Sequence, residues 1–274
     1  MPRYVRYRLL VMKCVHCCVP CPARLQAVRR MLLTSAGLEN DTLKSALADL
    51  MGKRFTASKL VFIPTAAIAA AGDHGWLIED LNRLHALRWR EFNILELNSL
   101  PGPMVLERLC NADVIYVEGG NHYHLANSMS GLGPELAGIL ESKVYVGVSA
   151  GSMIFSRNLS ARTGEAFGEQ DDLQILGETP ARSPLGLFDW YLKPHMNSRS
   201  FPNRTPQWYE RAAAQLDFPV YALDDDSAIR VRGDETDVVS AGEWLLLNAP
   251  AGEDAGHAAP KGKTWRLRRP ARRG

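Results

Sequence analysis

A serine held between two glycines is the first place where this chain could do chemistry. Residues 144–155 read V-Y-V-G-V-S-A-G-S-M-I-F, and Gly147, Ser149 and Gly151 fit the pattern G-x-S-x-G. Val144, Tyr145 and Val146 are β-branched or aromatic and predict a buried strand, whereas residues 150–155 suit the start of a helix. Ser149 then stands at the corner between the two. A sharp turn there needs unusual backbone angles, and small neighbours let the chain pass without clashes. The hydroxyl would project at the carboxyl end of the strand. It would lie beside N–H groups of the helix start that can bind developing negative charge. A glycine-rich turn with a capping serine fits the same three positions, which recur by chance.

A nucleophilic serine needs a base, and the base needs an acid to orient it. Of the seven histidines, His16 and His257 fall in the terminal stretches. His74 and His85 belong to a predicted surface helix, and His122 and His124 follow a Gly-Gly pair. His195 stands apart, closing the run D-W-Y-L-K-P-H, with Pro194 fixing the backbone that enters it. A structural histidine is the plainer reading of any one of these.

These residues need a frame that brings them together. The pattern predicts a strand at 32–35, a helix capped by Asp41 and closed by Gly52, and a buried strand from Lys59 to Pro64. Helical periodicity follows over 74–89, strand alternation from Phe92, a helix from Pro103 and a strand at 113–117 ending in Glu118-Gly119-Gly120-Asn121. Two short helices, around 122–129 and 134–141, precede the strand that leads to Ser149. Strands alternating with helices imply an α/β fold with a doubly wound, mainly parallel sheet and helices on both faces. Ligands in such sheets bind beyond the carboxyl ends of the strands, where Gly119-Gly120 and Ser149 both fall. Past the serine the pattern turns β-rich, with strands expected at 187–192, 220–223, 228–231, 237–240 and 244–247.

Composition narrows the class. With 274 residues, 46% of them hydrophobic, the chain can bury one large α/β core. No run of about 18 apolar residues is present, so no helical membrane span is expected. The net charge of +2 conceals an uneven distribution. Residues 1–30 and 261–274 each carry seven Lys or Arg and no acid, which leaves 18 basic against 30 acidic residues in the body. An acidic body argues against a nucleic-acid surface on the fold. Cys14, His16, Cys17, Cys18 and Cys21 crowd the N-terminus and raise the idea of a metal site. No second cysteine cluster follows, only Cys110. Residues 1–30 therefore read as an extension outside the fold, 31–250 as a single α/β domain, and 251–274 as a basic, disordered tail.

The segments L-L-T-S-A-G-L, L-V-F-I-P-T-A, D-V-I-Y-V-E-G-G-N, V-Y-V-G-V-S-A-G-S, G-L-F-D-W-Y-L-K-P-H and Y-A-L-D-D-D-S-A-I occur in this order over roughly residues 31–248. Together they resemble the dipeptidase E and cyanophycinase family of serine peptidases. The resemblance implies a flavodoxin-like sandwich related to class I glutamine amidotransferases, with extra β elements in the C-terminal third. It implies hydrolysis of dipeptides or short peptides through an acyl-enzyme, in the cytoplasm, without metal or cofactor. A homodimer is compatible with it, and cyanophycinase-like or isoaspartyl hydrolysis is the alternative. An esterase would need His257 as its base, and a non-catalytic binding protein would leave Ser149 and His195 without a role. Carried over residue by residue, the nucleophile is Ser149 and the base His195. The oxyanion donors are the N–H of Ala150 and of Gly119 or Gly120, with Asn121 shaping that loop. The family's acid lies about fifteen residues past the serine, which points to Glu165, with Glu169, Asp171 and Asp172 next. The run Asp224-Asp225-Asp226 reads as a turn. Arg157, Arg162 and Arg199 are the cations considered for a substrate carboxylate.

Overall fold

The computed structural model describes residues 29–249 and a two-residue strand at 265–266. The cysteine cluster and almost all of the basic tail lie outside the described residues. The strands are β1 (Arg30–Thr34), β2 (Lys59–Ile63), β3 (Glu91–Ile94), β4 (Val114–Val117), β5 (Val144–Val148), β6 (Tyr191–Met196), β7 (Val220–Asp224), β8 (Ser227–Arg232), β9 (Glu235–Ser240), β10 (Trp244–Leu247) and β11 (Trp265–Arg266). The helices are α1 (Asp41–Met51), α2 (Thr65–Ile68), α3 (Gly75–Ala86), α4 (Gly102–Asn111), α5 (His122–Ser130), α6 (Glu135–Ser142), α7 (Ala150–Met153), α8 (Ala161–Ala166), α9 (Gln170–Leu173) and α10 (Pro206–Ala213).

The main sheet runs β11-β9-β8-β1-β5-β4-β2-β3. Its half from β1 to β3 is parallel throughout, and β8, β9 and β11 extend it antiparallel. The central strands read as unbroken apolar runs because they are buried on both faces. Side chains alternate across a strand, so each strand feeds two cores. Leu60, Phe62, Val114, Tyr116, Val144 and Val146 pack with α1 and Leu84 of α3. Val61, Ile63, Ile115, Val117 and Tyr145 pack with α4, α5 and α6 on the other face. Each such side chain contributes roughly 1.5–3 kcal/mol when fully buried. These strands are therefore the most firmly seated part of the frame.

Register brings the functional loops level. Ile63 lies opposite Val117, Val117 opposite Gly147, and Thr34 opposite Val148. The carboxyl ends of β2, β4, β5 and β1 thus finish at one rim, and the loops after them share it.

The C-terminal strands divide between two sheets. Strands β10, β7 and β6 form a second, three-stranded sheet. The chain crosses from it into the main sheet between β7 and β8, through Asp225 and Asp226 alone. The strand expected at 187–192 starts later, at Tyr191, because the N–H groups of Leu187 and Phe188 turn back to the carbonyl of Phe155. At the start of α1 the cap is Asn40 and not Asp41: its side chain accepts the N–H of Leu43 at 3.0 Å.

Candidate active site

Ser149 leaves β5 with φ +46° and ψ −106°, a conformation that a side chain makes costly. Its surroundings enforce it. The Ser149 N–H donates to the carbonyl of Thr34 at 3.1 Å, and the Ser149 carbonyl accepts from Ser152 and Met153 of α7. The flanking glycines answer to packing as well as to the turn. A Cβ on Gly147 would stand 2.6 Å from the backbone of Gly151, and one on Gly151 would stand 2.3 Å from the Val117 carbonyl oxygen. The corner therefore lies directly against the neighbouring strand, with its serine turned to the rim.

His195 reaches that serine from the second sheet. The pairing of β6 with β7 slips between Lys193 and Met196, and within this bulge His195 takes φ +72°. The Ser35 hydroxyl accepts its N–H at 2.8 Å, and Tyr209 donates its hydroxyl to the Pro194 carbonyl at 2.5 Å. So held, the ring places Nε2 3.0 Å from Ser149 Oγ and Nδ1 2.8 Å from Asp225 Oδ1. A carboxylate on Nδ1 assigns the ring proton to that nitrogen, and Nε2 is left to accept from the serine hydroxyl. Phe201 stacks on the other side of the ring, with centroids 4.7 Å apart, and the Arg204 guanidinium lies 4.1 Å from the centre of Phe201.

The charge states suit a base. Burial lowers the His195 value below 6.5, and Asp225 pulls the other way without overcoming it. The imidazole is thus neutral near pH 7. Burial alone would raise the Asp225 carboxyl, but hydrogen bonds from His195, Ser198 and Ser35 outweigh it and hold the group below the usual range.

Asp225, not Glu165, is the acid beside the histidine. Glu165 is exposed on α8 and takes no part in the bonds around His195. Asp171 is exposed too, and Asp172 meets the oxyanion loop through its backbone carbonyl, which accepts from Asn121 Nδ2 at 3.0 Å. Glu169 is buried and forms an ion pair with Lys193. Counting onward from the serine led to a segment that packs under the loop, whereas the acid comes from the crossing between the two sheets. One signal was legible. Asp224-Asp225-Asp226 follows an apolar strand at its carboxyl end, the same rim rule that singled out Gly119 and Ser149.

The glycine loop divides its roles. Gly119 packs on the nucleophile, since a Cβ there would lie 3.2 Å from Ser149 Cβ. Its N–H, however, already donates to Glu118 Oε1 at 2.7 Å, which removes it from the expected pair of oxyanion donors. Gly120 has φ +129° and passes so close to α2 that a Cβ would meet the Ala66 carbonyl at 2.2 Å. Asn121 caps α5 by accepting the His124 N–H at 2.9 Å. Ala150 begins α7 directly after the serine.

One cluster has donors of metal-ligand type. A ring nitrogen of His122, Glu169 and a carboxylate oxygen of Asp172 come within 4.8 Å of one another. The chain supplies its own cation there, the buried ammonium of Lys193, whose value burial lowers to about 8. Burial likewise lowers His122 to about 4. An ion pair joins the loop at 169 to β6 there, while His122 Nε2 and Glu169 Oε2 have no hydrogen-bond partner among the described residues. Of the arginines considered for substrate, Arg157 pairs with Asp189 and Arg162 donates to the Gln215 carbonyl. Arg199 is exposed, and the guanidinium nearest the histidine through its stacked Phe201 is that of Arg204.

Comparison with known proteins places the chain in a family. The profile of peptidase family S51 matches residues 31–239. A protein named Peptidase E from Shewanella amazonensis is 30% identical over 220 residues, covering 75% of this chain and 86% of its own length. Another, from Shewanella baltica, is 26% identical over 248 residues, covering 82% of this chain and 96% of its own length. The crystal structure of a putative Peptidase E from Listeria monocytogenes superposes with a TM-score of 0.64 at 20% identity, over 78% of this chain and all of the other. It shares the fold.

Proposed function

We propose, starting from the fact that this chain belongs to peptidase family S51 and is a serine-type peptidase, that it hydrolyses dipeptides or other short peptides through an acyl-enzyme on Ser149. The observation that carries this reading is the continuous chain Asp225–His195–Ser149, with links of 2.8 and 3.0 Å. His195 takes the hydroxyl proton as Ser149 Oγ attacks the scissile carbonyl. Asp225 keeps the ring in the tautomer that leaves Nε2 free and balances the imidazolium that forms. The N–H groups of Ala150 and Gly120 receive the oxyanion, a contribution of roughly 3–4 kcal/mol per donor in well-studied sites. His195 then protonates the leaving amine, and water repeats the sequence on the ester. Arg204 makes no ion pair among the described residues and sits one ring away from the base. Such a cation suits a substrate with a free carboxylate close to the scissile bond, as a dipeptide has.

The test combines a fluorophosphonate probe with a dipeptide panel varied at both positions. The expected result is labelling of Ser149, cleavage of dipeptides in preference to esters, and loss of both in a folded Ser149→Ala variant. Peptidase activity that survives Ser149→Ala would overturn the reading.

A further inference from the structure

Glu118 stands immediately ahead of the glycine pair and is 1% exposed. Its Oε1 accepts the Gly119 N–H at 2.7 Å, and its Oε2 is buried without a donor from any described residue. The carboxyl facing it across the core is that of Asp80 on α3, 4% exposed and within hydrogen-bonding reach. Two buried carboxyl groups in such contact need one proton between them.

The neighbours decide where that proton sits. Asp80 Oδ2 accepts the Tyr116 hydroxyl at 2.8 Å, and Asp80 Oδ1 accepts from Arg83 at 2.6 Å. The other arm of Arg83 reaches Glu39 at 2.9 Å. The ionisable groups facing Glu118 are thus Asp80 and Arg83 from α3 and Tyr116 from its own strand, with Glu39 one step further. One cation already answers two anions, and Asp80 has both the cation and the phenol. Nothing in the cluster balances a third charge, and Glu118, which has neither the cation nor the phenol, is the carboxyl that keeps a proton. Burial first and the Asp80 charge second both push the Glu118 carboxyl well above its ordinary value.

We propose that Glu118, buried against Asp80 and bonded to the Gly119 N–H, is a positioning residue of the reaction. It withdraws the Gly119 N–H and fixes the Glu118–Gly119 peptide, so that Gly120 presents its N–H to the substrate oxyanion. This rests on the acyl-enzyme reading above. Neutrality serves the same end, because an anion next to the oxyanion loop opposes the charge that develops there.

Three variants of the full chain test the proposal. Glu118→Gln keeps an acceptor for Gly119 and a permanent donor for Asp80, and is expected to hold kcat and KM within about threefold of wild type. Glu118→Leu removes both bonds, and Glu118→Asp shortens the arm. Each is expected to lose about 10²-fold in kcat, the cost of a misplaced group, with KM little changed. The Gln variant should also retain the acid limb of the wild-type pH profile, which belongs to His195. Equal losses in the Gln and Asp variants, a loss confined to KM, or wild-type kcat in a folded Leu variant would each overturn the proposal. If Leu fails to fold, the contrast between Gln and Asp still decides. Fluorophosphonate labelling of Ser149 in wild type reports separately on the acyl-enzyme reading.

Discussion

Replacing Asp225 by asparagine isolates the charge behind the histidine while barely changing shape. In the transition state His195 becomes an imidazolium whose Nδ1 lies 2.8 Å from Asp225 Oδ1. Taking the two charges as about 4 Å apart, at an effective dielectric constant near 20, their attraction is about 4 kcal/mol. At about 1.4 kcal/mol per tenfold, that is a loss of roughly 10³ in kcat/KM. Two effects act on this figure in opposite directions. The Asp225 side chain is 34% exposed, which weakens the attraction. An asparagine that turns its amide toward Nδ1 would hold the proton on Nε2, facing the serine, and deepen the loss toward 10⁴. Stability should change by less than about 1 kcal/mol, because a partly exposed pair contributes little to folding. The assay is kcat/KM on the best dipeptide, with thermal unfolding on the same samples. Glu165→Gln and Asp171→Asn serve as controls and should stay near wild type. A folded Asp225→Asn enzyme within about threefold of wild type, or an equal loss at Glu165→Gln, would refute the assignment.

Other consequences can be measured directly. Ser149→Gly should raise the unfolding free energy by about 1 kcal/mol while abolishing turnover, because the strained φ of +46° costs a side chain about 1–3 kcal/mol and glycine little; unchanged or lower stability would show that the corner is relaxed. Lys193→Met should destabilise the fold by about 3–5 kcal/mol by leaving Glu169 buried without its cation, and Lys193→Met with Glu169→Leu should recover most of that loss in chemical denaturation. The acid limb of kcat/KM should fall below the ordinary histidine value: the base acts when neutral and burial lowers it beneath 6.5, so at pH 6.5 more than half of the plateau should remain, whereas a midpoint above 6.5 would contradict the burial of His195.

The parts of this site that were legible in the sequence are those that local physics dictates. Ser149 announces itself because a strand-to-helix corner needs Gly147 and Gly151 within two residues, and the strand before it is apolar on both faces. His195 was legible because proline closes an apolar strand just ahead of it. Asp225 was legible only as a candidate at a strand's carboxyl end; its role was not, because its partner ring comes from a bulge in another strand, and linear spacing carries no record of a crossing between two sheets. The division of the C-terminal strands was hidden for the same reason: Val220–Asp224 and Ser227–Arg232 both read as short, largely buried strands, and only their partners tell them apart. Glu118 looked like one more residue of a loop. Its meaning depends on Asp80, which arrives from a helix 38 positions earlier in the chain.

The crossing at Asp225 and Asp226 makes the active site a gauge of how the two sheets are seated. Ser149 is pinned to the large sheet through Thr34, and His195 to the small one through β7. Ser35 touches both, donating its N–H to the Ser227 carbonyl and receiving the N–H of His195. A slide of one sheet past the other by a fraction of an ångström would lengthen the serine–histidine contact. Substitutions along this seam, at Ser35 or Ser227, should therefore silence turnover at temperatures where the chain still unfolds cooperatively. Inactivation would then precede melting, and the gap between the two temperatures would measure how loosely the halves are joined.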